Sequence, residues 1–180
     1  MSSSRNNLYK YLYIICLFLF LMTLSLIFND NFSSGGFYVF PNLAIAGLAY
    51  ISAYLDIYPG CLTSYILFYI YGSMTPLNPA VFGFIGTVSY AVSYVLWRKI
   101  PYDNAATEIL TTFIASWVYY LTLFLIVFYC YGMHFLYWNF LLSYGFPVSV
   151  STALFAPAVF FLFKKAGYKN FLKKNKLIYL

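Results

Sequence analysis

Long apolar stretches alternate with short polar segments along the chain. A helix needs about 20 apolar residues to cross a bilayer core about 30 Å thick. The pattern predicts a single all-α membrane domain, a compact bundle of about six transmembrane helices at 11–28, 37–55, 61–74, 80–97, 109–131 and 146–163. The third and fourth stretches have no charge between them and form either two spans or a re-entrant hairpin. No cleavage-like site follows the first stretch, so we expect an uncleaved span there.

The basic residues lie before the first predicted span, after the fourth and after the sixth. Membrane proteins keep Lys and Arg mainly on the cytoplasmic side. Six spans with both termini in the cytoplasm place all ten basic residues on that side, namely Arg5, Lys10, Arg98, Lys99, Lys164, Lys165, Lys169, Lys173, Lys174 and Lys176. The lysine-rich tail, residues 164–180, is expected to meet anionic membrane lipid.

Composition agrees with a membrane protein. Hydrophobic residues make up 63% of the chain and charged residues 8%, whereas soluble domains carry about 25% charged residues. The formal net charge of +6 comes from residues that flank apolar stretches. We therefore assign this charge to membrane topology and expect no nucleic-acid partner.

Small residues recur on one face of three predicted spans, and helices in lipid pack through such residues. These faces are the predicted helix-packing or partner surfaces: Ala46, Ala49 and Ala53; Gly83, Thr87 and Ala91; Ser149, Ala153 and Ala156. The alternative is that such a face lines a substrate cavity. The first, third and fifth spans are richer in large apolar residues and are expected to face lipid. Pro157 is expected to kink the last span or to be accommodated by its neighbours.

Ionisable residues are scarce and fall at the ends of predicted spans or in loops. Asp56, Glu108 and His134 have no spacing suited to acid–base catalysis, and the three cysteines form no metal-binding cluster. We therefore expect no catalytic residue, no metal and no cofactor. Asp56 follows the second span and is either a turn residue or a contact for a partner or a coupled ion.

Four segments carry a resemblance to a known family. Residues 40–42 open the second span with a Pro-Asn pair, and residues 72–78 end the third span in a turn. Residues 97–99 form a basic stop, and residues 156–165 join a Pro-containing apolar span to the basic tail. In this order they resemble MreD, the membrane subunit of the bacterial rod-shape machinery, over about residues 37–167. The turn motif consists of Gly72, Pro76, Leu77 and Asn78.

Two positions depart from the family's pattern. Phe68 stands where the family often has an acid, and Asn78 replaces the last glycine of the turn, although asparagine also tolerates a left-handed backbone. The resemblance implies a non-catalytic scaffold in the bacterial cytoplasmic (inner) membrane, beside an MreC-like bitopic protein and wall-synthesis enzymes. It also implies a fold similar to the substrate-binding subunits of ECF-type vitamin transporters.

Two other functions remain open at this point. A substrate-binding subunit of an ECF-type transporter would bind a vitamin near its outer face, where Trp138 is available for stacking. An orphan flippase or small-molecule carrier is the third interpretation.

Overall fold

The computed structural model describes residues 15–27, 40–75, 77–100, 104–132 and 137–164, and all regular structure in these ranges is helical. The elements are α1 (Ile15–Ile27), α2 (Leu43–Ser52), α3 (Ile57–Ser73), α4 (Pro79–Lys99), α5 (Ala105–Tyr131), α6 (Tyr137–Phe140), a π-helical segment (Leu141–Gly145) and α7 (Phe146–Phe163). They pack into a compact bundle, which confirms the predicted all-α fold class.

Three helices are long and apolar enough to cross a membrane: α4, α5 and the continuous helix from Leu141 through α7. The 21 residues of α4 rise about 30 Å, the thickness of a bilayer core. α1 and α2 are apolar but shorter. These lengths and compositions support the prediction of a membrane protein.

α2 lies at the centre of the bundle, and every one of its ten residues is buried. It packs mainly on α7 and α4, with further contacts to α5 and α3. On another side, the ring of Phe18 in α1 lies against Gly47. The surrounding helices therefore form a shell around a short central helix.

Helices that follow one another along the chain run in opposite directions, which brings the ends of α2, α4 and α7 together with the starts of α3 and α5. Arg98 near the end of α4 lies 3.6 Å from Asp56, just before α3. Lys164, after α7, forms an ion pair with Glu108 in the first turn of α5. We call this end, which carries Arg98, Lys99 and Lys164, the basic end of the bundle.

α3 and α4 form a tightly packed helical hairpin. A Cβ atom added to Gly72 would lie only 2.9 Å from the Cα of Pro79, so this glycine allows the two backbones to meet at the turn. Asn78 caps α4, because its Oδ1 accepts a hydrogen bond from the N–H of Ala80 at 2.9 Å. Pro79 occupies the first helical position, where a missing N–H removes no intrahelical bond. Residues of the turn motif thus build the hairpin.

The boundaries of α2 and α3 differ from the predicted spans. α2 covers only Leu43–Ser52, and residues 40–42 lead into it without being helical. α3 begins at Ile57, so Pro59 and Gly60 lie in its first turn instead of in a loop. Proline is tolerated there because the first N–H groups of a helix have no intrahelical partner.

The last two spans are longer than predicted. α5 begins at Ala105 instead of 109. α7 is continuous with the π-helical segment and α6, so the helix starts well before residue 146. Pro157 is accommodated inside α7 without ending the helix.

Candidate functional site

The first turn of α2 lies inside the bundle, where its free N–H groups have no intrahelical partner. Side chains of three other helices bond to this turn. The N–H of Asn42 donates to Oγ1 of Thr152 at 2.8 Å, and the N–H of Leu43 donates to Oγ of Ser25 at 2.9 Å. The side-chain Nδ2 of Asn42 donates to the hydroxyl of Tyr120 at 3.3 Å. We call Ser25, Asn42, Tyr120 and Thr152 the polar junction.

Asn42 serves this junction in two ways. Only 8% of the Asn42 surface is exposed. Its Oδ1 accepts a hydrogen bond from the N–H of Ile45 at 3.4 Å. It therefore caps α2 and also ties it to α5. A buried amide left without partners would be costly, so these contacts fix the position of α2.

The other end of α2 and the turn that follows it are held by side chains of α4. The indole N–H of Trp97 donates to the carbonyl of Ala49 at 2.9 Å. The hydroxyl of Tyr90 donates to the carbonyls of Leu55 at 2.9 Å and of Asp56 at 3.3 Å. α2 is thus tied at both ends by polar contacts with the surrounding helices.

Four tyrosines gather near the polar junction: Tyr71 in α3, Tyr119 and Tyr120 in α5, and Tyr144 in the π-helical segment. The ring centroids of Tyr119 and Tyr120 are 5.3 Å apart, and those of Tyr120 and Tyr144 are 5.9 Å apart. Phe68 lies between Tyr71 and Tyr119, with its ring centroid 5.9 Å from that of Tyr71 and 5.6 Å from that of Tyr119. We call the four tyrosines the tyrosine cluster. The buried hydroxyl of Tyr119 has no hydrogen-bond partner among the described residues. This phenol can offer a hydrogen bond to a ligand, but the cluster contains no paired base or nucleophile.

The acidic residues in the part of the chain that the structure describes, Asp56 and Glu108, lie at the basic end of the bundle. Glu108 is 7% exposed and pairs with the half-exposed Lys164. Asp56 is exposed and lies 3.6 Å from Arg98, which also donates to the hydroxyl of Tyr94 at 2.8 Å. Glu108 was expected at a span end, but its burial and its pairing with Lys164 were not anticipated.

The small-residue faces of α2 and α7 are buried as packing surfaces: Ala46, Ala49, Ser149, Ala153 and Ala156 are all enclosed. Ala53 follows α2 and is only partly buried. On α4, Gly83 is buried beneath the ring of Tyr65, whereas Thr87 and Ala91 are only half-buried.

The interior face of α4 is rotated from the predicted one. The buried residues of α4 are Phe82, Gly83, Ile85, Gly86, Ser89, Tyr90, Ser93 and Trp97. Gly86 allows this rotation, because a Cβ there would lie 2.5 Å from the ring of Phe68. Of the predicted face of α4, Gly83 is buried, whereas the prediction that Thr87 and Ala91 face the interior is corrected, because both are only half-buried.

α5 has a buried face of small and polar residues that is not among the predicted packing surfaces. It contains Thr111, Thr112, Ala115, Ser116, Tyr119 and Tyr120. The expectation that the fifth span faces lipid is wrong for this side of the helix. The signal was present as pairs of adjacent residues repeated every four positions, within a helix otherwise rich in large apolar residues.

Several predicted residues lie outside the described residues: Pro76, His134, Lys165, Lys169, Lys173, Lys174 and Lys176. Leu77 is partly buried against the core. In the part of the chain that the structure describes, no three His, Cys, Asp or Glu side chains come together as a metal site.

The fold and these contacts define a helical membrane bundle with a buried polar junction. No protein-family model matches the chain, and no curated protein or solved structure matches it either.

Proposed function

We propose that this protein is a non-catalytic membrane scaffold of the bacterial elongation machinery. It supports peptidoglycan synthesis and cell shape by binding an MreC-like partner. The observation that carries the proposal is the use of Asn42, which belongs to the Pro-Asn pair that resembles the MreD family. Its side chain caps α2 and joins α5, which favours a structural use of this motif over a catalytic one. Asn78, in the second resembling segment, likewise caps α4.

The proposed orientation has the basic end in the cytoplasm of a bacterial cell, with six membrane passes. Arg98, Lys99 and Lys164 lie at one end of the bundle, which supports this orientation through the usual cytoplasmic bias of basic residues. In a cysteine-free background, single cysteines at Ser34 and His134 should react with an impermeant reagent from outside. A cysteine at Lys169 should react only after the membrane is opened, and labelling of intact cells at that position would overturn the orientation.

The partner is proposed to dock within the bilayer. The segment from Lys164 to Leu180 carries six lysines. Lys164 pairs with Glu108, and each of the other five contributes about 1 kcal/mol of attraction to anionic lipid near the surface. We propose that the tail meets lipid while the helices bind an MreC-like single-span protein and, through it, wall-synthesis enzymes. Purification in mild detergent should retain such a partner, and depletion of the protein should round a rod-shaped cell. Retained rod shape after depletion would contradict the scaffold role.

A second candidate function is a substrate-binding subunit of an ECF-type vitamin transporter. The unpartnered hydroxyl of Tyr119, within the tyrosine cluster, favours it. Native mass spectrometry of the purified protein distinguishes the two candidates. A stoichiometric vitamin and an associated ATPase module, without a single-span partner, would replace the scaffold proposal.

A further inference from the structure

We draw no further inference here: the strongest candidate, the exposed side of α3 that carries Leu62, Tyr65, Ile66 and Tyr69, carries no proposal, because nothing in the structure shows what covers it.

Discussion

Replacement of Gly86 by alanine tests how tightly α3 packs on α4. The added Cβ would lie 2.5 Å from Cγ and 2.7 Å from Cβ of Phe68. Carbon atoms normally approach to about 3.5–4.0 Å, so the side chain or the helices must move by roughly 1 Å. Phe68 has little room, because it packs against Phe18, Tyr71 and Tyr119 and is fully buried.

The expected cost follows from two opposing effects. Overpacking of a tight interior typically costs about 1–3 kcal/mol. Alanine in a helix is favoured over glycine by about 0.5–1 kcal/mol. We therefore expect Gly86→Ala to lower the free energy of unfolding by about 1–2 kcal/mol, a fall of roughly 3–6 °C in melting temperature for a chain of this size.

Gly47→Ala is the matched control. This glycine is also buried within a helix, but its added Cβ would lie 3.2 Å from the edge of the Phe18 ring. The smaller overlap and the helix propensity of alanine nearly cancel, so little change is expected. Fluorescence-detected size-exclusion chromatography after heating in detergent measures both variants. A Gly86→Ala protein as stable as Gly47→Ala would refute the tight α3–α4 contact.

A double-mutant cycle then locates the overlap. Phe68→Ala removes Cγ and Cδ2, two of the three atoms that the new Cβ would meet, although it also removes buried ring contacts. Combined with Gly86→Ala, it should cost at least about 1 kcal/mol less than the sum of the single changes, because the two sites are in contact. Additive effects would mean that Gly86→Ala acts somewhere other than at Phe68.

Two further predictions concern caps and ion pairs. Asn42→Ala should destabilise the protein by about 1–2 kcal/mol. Asn78→Ala should cost less, because Asn42 is buried and Asn78 is exposed. Equal melting temperatures of the two variants would count against the polar junction. Glu108→Gln should cost about 1–2 kcal/mol through its contact with Lys164, with little dependence on salt. Asp56→Asn should lower the free energy of unfolding by less than about 0.5 kcal/mol, and this effect should disappear at high salt. A larger loss of stability for Asp56→Asn than for Glu108→Gln would contradict the burial of Glu108.

Hydropathy and turn residues were sufficient to predict the helical bundle, since a lipid-spanning helix needs a long apolar segment whatever its neighbours are. They were not sufficient to predict α2. The expected span, 37–55, is reduced to a helix of ten residues, and residues 40–42 before it are not helical. The chain enters the bundle through hydrogen bonds from Asn42 to Thr152 and from Leu43 to Ser25. Those contacts join residues far apart in the sequence, and local patterns carry no information about them.

The rotation of α4 about its own axis could not be predicted from the sequence pattern either. Gly83 and Gly86 lie three residues apart on α4, and either could have been the point of closest approach. The side chain that packs on each glycine determines which one faces the interior. Phe68, which is fully buried, packs on Gly86, whereas the partly exposed Tyr65 covers Gly83. The choice depends on the register between two helices, which is a tertiary property.

The uncovered side of α3 bears on how stability is distributed in the bundle. Every residue of α2 is buried, and side chains of several helices hold both of its ends. α3 has α4 as its main neighbour and leaves one side uncovered. Local opening is easiest where fewest buried contacts must break.

We therefore expect amides of α3 to exchange with deuterium faster than those of α2 in detergent. Hydrogen-exchange mass spectrometry of the purified protein measures this difference. If α3 exchanges as slowly as α2, the uncovered side of α3 brings no loss of local stability, and the argument from buried contacts is wrong.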